Sequence, residues 1–140
     1  MNRIILAVLA LIVISSVQVD AKKPRKHRIV MQVASGDTSE WKSTINNLKN
    51  LKQGWGNDVA IEVVAHGPGI GFLLTKKTPH HEAIKALKMQ GVDFVICENS
   101  LREKGVGKSE VIPEAGFVPM GIGEIVLKLE EGWTYIKSGF

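Results

Sequence analysis

The chain carries a single sulfur nucleophile, Cys97, within the stretch VDFVICENSL. The residues up to the thiol are mostly apolar, and the three that follow, Glu98, Asn99 and Ser100, are polar. A thiol that ends a strand and precedes a turn into a helix faces unpaired backbone amides, whose partial positive charge favours thiolate. A fall in pKa from about 8.5 to about 7 would raise the thiolate fraction at neutral pH from a few per cent to about half, at a modest loss of nucleophilicity. The carboxylate of Glu98 would act in the opposite sense. Free cysteine is also a common small buried residue, so position alone leaves a reactive and a packing role both open.

A second cluster is His66-Gly67-Pro68-Gly69. Its glycines allow a sharp turn and could present amides to an anion. The spacing G-x-G-x-G is not the dinucleotide fingerprint, which needs G-x-G-x-x-G. His66 could donate to a substrate or to a thiolate, or merely finish a strand. The candidate set is therefore Cys97 as the catalytic group, with His66, Gly67, Gly69, Asn99 and Ser100 as substrate-binding residues. Two other patterns carry less. Gly105-Val106-Gly107-Lys108-Ser109 resembles the end of a phosphate loop, but the first glycine it requires would fall at Arg102, which argues against ATP. His80 and His81 are adjacent, point about 100° apart on a helix and cannot chelate one metal together. No metal or cofactor is expected, and the one conceivable metal site would combine His66, a helix histidine and Cys97.

The elements that must position these residues alternate. Strands are expected over Ile29 to Ala34, Val59 to Ala65, Val92 to Cys97, Phe117 to Pro119 and Trp133 to Lys137. Between the first two, Asp37 and Glu40 have capping-box spacing, Trp41, Ile45, Leu48 and Leu51 recur at helical intervals, and Gly54 reads as a stop. Thr78-Pro79 opens a helix that ends at Gly91, Asn99 could cap a short helix through Lys104, and Ile122, Ile125, Val126 and Leu129 line one face of another. Trp41, Trp55, Trp133 and Tyr135 are expected to pack in the core. Repeated strand–helix alternation implies an α/β fold: a three-layer α/β/α sandwich around a mostly parallel sheet of about five strands. Ligands of such sheets gather beyond the carboxyl ends of the strands, where both HGPG and CENS fall.

The first residues, MNRIILAVLALIVISSVQVDA, read as a secretory signal over residues 1–21, with a basic residue, an apolar run from Ile4 to Ile14 and small residues at Val19 and Ala21. That run is well short of the roughly 20 residues that cross a bilayer. Residues 22–28, KKPRKHR, hold five positive charges and read as a solvated basic leader, so the formal charge of +4 belongs to a tail and not to the domain at 29–140. Nucleic-acid binding needs a basic surface on the fold itself and is not expected; nor is a membrane once the signal is removed. A periplasmic or secreted location follows. One cysteine closes no intrachain disulfide, so the core must supply the stability.

Three stretches together, VVAHGPGIGFLL, VDFVICENSLREKGV and FVPMGIGEIVLKLEEGWTYIK, resemble the DsrE/DsrF-like family, and the similarity runs from Ile29 to Lys137. The resemblance implies a five-stranded α/β/α fold and homo-oligomers, trimers or hexamers, with thiols near subunit boundaries. In sulfur-relay members of the TusD type, the cysteine at this place accepts a persulfide sulfur and hands it on, a role that carries over to Cys97 and implies sulfur donor and acceptor proteins as partners. Ile96, Leu101, Arg102, Gly105 and Val106 match the pattern, with the Leu-Arg pair one residue closer to the cysteine. The export signal departs from relay proteins that serve tRNA thiolation in the cytoplasm. The expectation is a periplasmic sulfur carrier or sulfurtransferase-like protein. The alternative is a non-catalytic oligomeric binding module of the same fold, possibly anion- or metal-binding.

Overall fold

A computed structural model describes residues 24–139. The signal segment and Lys22 and Lys23 lie outside the described residues. Five strands, β1 (His27–Val33), β2 (Val59–Ala65), β3 (Val92–Cys97), β4 (Ala115–Val118) and β5 (Thr134–Lys137), form one sheet in the order β4-β3-β2-β1-β5. Every pairing is parallel. The helices are α1 (Thr38–Trp55), α2 (His81–Met89), α3 (Glu98–Glu103) and α4 (Gly121–Glu130).

Alternation along the strands decides which helix covers which face. Ile29, Met31 and Val33 of β1, Ile61 and Val63 of β2, and Phe94 and Ile96 of β3 point to one side, where Trp41, Ile45 and Leu48 of α1, Ile84 and Leu87 of α2, and Leu101 of α3 bury them. α1 forms because those apolar residues recur every third or fourth position, and because the Asp37 carboxylate caps it by accepting from the Ser39 amide at 2.8 Å. The other side is thinner. Val30, Val64 and Ile125 make a small cluster there, joined by Val95 and Trp133, and among the described residues α4 is the only helix on it.

Several expectations shift. The first strand starts at His27, inside the stretch read as a solvated leader, because Arg28 pairs in register with Ala60 and Arg25 Nη1 donates to the Val59 carbonyl at 3.0 Å. α1 runs past Gly54 to Trp55 and stops at Gly56. Trp55 and Tyr135 are exposed and not core, Trp55 stacking on His27 with ring centroids 3.9 Å apart. Of the apolar face expected on α4, Ile125 alone is buried, while Ile122, Val126 and Leu129 remain exposed.

The chain steps from β1 to β4 in one direction, with α1 to α3 on one face, then returns through α4 on the other to place β5 beside β1. Connections leaving β3 and β4 therefore turn to opposite faces. That divergence opens a crevice at the carboxyl ends of β3 and β4, the switch point where open α/β sheets bind ligands.

Candidate functional site

Cys97 is the last residue of β3 and stands in this crevice. Its side chain, and not Asn99, caps α3: Cys97 Sγ accepts from the Ser100 amide at 3.4 Å. The sequence signal for a cap lay in the wrong residue because sulfur is an unusual acceptor, although a thiolate serves the same purpose as a carboxylate there. Only 5% of the residue is exposed, and burial pushes the thiol's pKa up. Hydrogen bonds outweigh that: the Ser100 hydroxyl and the backbone amides of Ser100, Gly121 and Asn99 bring it below the usual thiol range. The amides come from the first turns of both α3 and α4. The expected opposition from Glu98 does not materialise, since its carboxylate is paired with Lys108 at 2.9 Å.

Ser100 connects the two sequence clusters. Its Oγ accepts from the Gly67 amide at 2.8 Å, which leaves the hydroxyl proton free for the sulfur. The Gly69 amide donates to the His66 carbonyl at 3.0 Å. The Gly67 amide is thus spent on Ser100 and the Gly69 amide within the turn, and neither glycine lines the cavity with the thiol. Gly69 is required for a different reason: a Cβ on it would stand 2.1 Å from the Val33 carbonyl oxygen, so only glycine lets this turn lie against the end of β1.

A cavity of about 410 Å³ is lined by His66, Cys97, Asn99 and Ser100, four of the six candidates. Glu103, Met120, Gly121, Ile122 and Gly123, none of them a site candidate from the sequence, complete it. Gly121 is the tightest point. A Cβ there would meet His66 Cβ at 2.7 Å and Cys97 Cβ at 3.2 Å, so the absence of a side chain is what lets α4 seat its first turn over both. The signal that could have found it is the Gly-x-Gly opening of α4 directly after β4. Burial lowers the pKa of His66 and keeps the imidazole neutral. Another cavity, of about 350 Å³ beside Met31, Leu51, Trp55 and Ile136, contains no titratable or nucleophilic side chain.

The metal variant fails on geometry. His81 is bound to Glu114 with Nε2 2.8 Å from Oε2, neither it nor His80 lines the thiol cavity, and no group of three or more metal-ligating side chains gathers among the described residues. The Gly105–Ser109 stretch, a turn and then a short 3-10 helix from Lys108 to Glu110, is not the strand-to-helix loop that cradles phosphate. No helix among the described residues is long and apolar enough to cross a membrane.

The arrangement resembles solved structures. A protein of unknown function from Methanobacterium thermoautotrophicum, MTH1491, is 32% identical, with a TM-score of 0.74 over 79% of this chain and 98% of that one. The ychN protein of Escherichia coli shares 15% identity at a TM-score of 0.58, covering 81% of this chain and 98% of its own. BT1422 of Bacteroides thetaiotaomicron, also of unknown function, shares 14% at 0.63 over 81% and 97%. No curated protein matches. With the family model for DsrE/DsrF-like proteins matching residues 28–138, the chain belongs to the DsrE/DsrF-like family.

Proposed function

We propose that this protein is an exported, periplasmic sulfur carrier that holds a persulfide on Cys97. The observation that carries the reading is the sulfur's place as the cap of α3, hydrogen-bonded by Ser100 and reached by the first amide of α4. Membership of a family whose fold serves sulfur relay supports it. The Cys97 thiolate attacks the sulfane sulfur of a polysulfide or of thiosulfate. An Sγ–S bond forms, the donor's S–S bond breaks, and the bonding pair leaves on the shortened polysulfide or on sulfite, so no external oxidant or reductant is needed. An acceptor thiolate then attacks the outer sulfur and restores the Cys97 thiolate.

The test is intact mass. Incubation with polysulfide adds one or more sulfur atoms to the wild-type chain, cyanide or dithiothreitol removes them, and Cys97→Ser takes up none. A wild-type protein that gains no sulfur, with a thiol that resists alkylation until unfolded, would instead fit the non-catalytic module. The periplasmic location rests on residues 1–21, and the mass of the protein recovered from the periplasm would then lack that segment.

We further infer that copies associate through α4. Ile122, Val126 and Leu129, at i, i+4 and i+7, form an apolar stripe exposed by 55%, 46% and 45%. Ile122 also lines the thiol cavity, so a second copy seated on this stripe would border the sulfur. Such a contact would set the thiols near subunit boundaries, as the family resemblance implies for a trimer or hexamer.

A further inference from the structure

His66 invites the reading of a base that deprotonates Cys97, as in a cysteine–histidine pair. The hydrogen bonds around it argue for a different part. On the α4 side of the sheet, Gln32 of β1 is the register partner of Val64, two residues before His66. Its amide Nε2 lies 2.6 Å from His66 Nε2. Its other amide atom, Oε1, accepts from the Tyr135 hydroxyl of β5. With Oε1 accepting from the Tyr135 hydroxyl, the end of the amide that faces the histidine is the NH2 group, which can only donate. In this arrangement His66 Nε2 accepts as the lone-pair nitrogen, and in the neutral ring the proton sits on Nδ1.

We propose that Gln32 and Tyr135 are positioning residues that hold His66 in its Nδ1–H form, so that the ring offers the cavity beside Cys97 a hydrogen-bond donor for the outer sulfur of a carried persulfide. Nδ1 takes no hydrogen bond from the protein among the described residues, and His66 and Cys97 start from the same spot, since one Cβ placed on Gly121 would touch both. A ring whose Nε2 lone pair is engaged by Gln32, and whose other nitrogen already bears a proton, is a poor base for the thiol. The thiolate is left to Ser100 and the backbone amides, and the ring is left to the sulfur that arrives. Burial, which keeps His66 neutral, is consistent with this division. The donation moves no proton and no electrons; bond making and breaking are those of the transfer step above.

The ligand part of this inference rests on the sulfur-carrier reading, and the test separates the two. Histidine-selective 15N labelling of the full mature chain, with the His66 signals identified by their loss in His66→Asn, reports which nitrogen carries the proton at neutral pH. The expected result is a protonated Nδ1 and an unprotonated Nε2 in wild type. Gln32→Glu, whose carboxylate can only accept, should place a proton on Nε2, and Tyr135→Phe should give a mixture of the two forms. A wild-type ring protonated on Nε2, or a state that Gln32→Glu leaves unchanged, overturns the positioning role whether or not sulfur is carried.

The second arm measures retention of sulfur after polysulfide loading. His66→Ala should lose bound sulfur roughly tenfold faster, the scale of one hydrogen bond to an anion. His66→Asn, whose side-chain NH2 can occupy the place of Nδ1–H, should stay within about threefold of wild type. Equal retention in all three, or equal loss in both variants, overturns the donor role. Should wild type take up no sulfur at all, the carrier reading falls, and the donor role falls with it, while the NMR result still decides the positioning.

Discussion

Cys97 owes its character both to Asn99 and Ser100, which follow it in the sequence, and to Gly121, which the fold brings beside it. Sulfur at a helix cap receives amides from α3 and α4, and Ser100 ties it to the turn that follows β2. The weakest point of this packing is Gly121. Its missing side chain would strike Cβ atoms at two strand ends, which cannot swing aside as a flexible tip would. Gly121→Ala should therefore destabilise the fold by about 1–3 kcal/mol, the usual cost of overpacking, and slow alkylation of Cys97. Urea unfolding and iodoacetamide kinetics would read both. Cys97, His66, Asn99 and Ser100 were legible in the sequence because polar residues directly after apolar strands fall at one edge of a parallel sheet. Gly121, Gln32 and Tyr135 were not, since they reach the site through strand order and register. Nor does spacing reveal that Gly67 and Gly69 spend their amides on Ser100 and His66.

At the scale of elements, α4 is set apart. Beneath it lies Glu62 of β2, almost fully buried, with Oε2 3.2 Å from Lys128 Nζ and no partner for Oε1. Lys128 also reaches Glu124 at 3.6 Å and sits 4.6 Å over the Trp133 ring. Burial pushes the Glu62 carboxyl up, and the Lys128 ammonium draws it back only in part, so that it titrates at about 7. The native state therefore holds this proton more tightly than the unfolded chain, whose carboxyl titrates near 4.5. Its contribution to stability is complete below about pH 4.5 and is lost as the pH rises through about 7, a change on the order of 3 kcal/mol. Glu62→Gln should flatten that slope and stabilise the protein by about 1–3 kcal/mol at pH 8, read from urea midpoints across the pH series. A variant that keeps the wild-type slope would assign the proton to another group. The sequence foretold the helix but not its cover, because periodicity marks an apolar face without saying whether the sheet beneath or another chain buries it.

For the whole molecule, the boundaries of β2 and β3 and the α/β class followed from apolar runs and turn residues, whereas the order β4-β3-β2-β1-β5 needed the structure. The exposed stripe on α4 gives the prediction that belongs here. Val126→Lys should convert an oligomer to single copies by light scattering while changing the stability of each fold by no more than about 0.5 kcal/mol. A wild type that already scatters as a single copy, or an oligomer whose mass the substitution leaves unchanged, would overturn the proposed association through α4. The position of β5 has a further effect on how the protein matures. β1 lies inside the sheet, yet its outer neighbour Thr134–Lys137 comes about a hundred residues later in the chain. During synthesis one side of β1 thus stays open as an unpaired edge until β5 has emerged, an invitation to aggregate. Closure of this edge must wait for β5 to arrive.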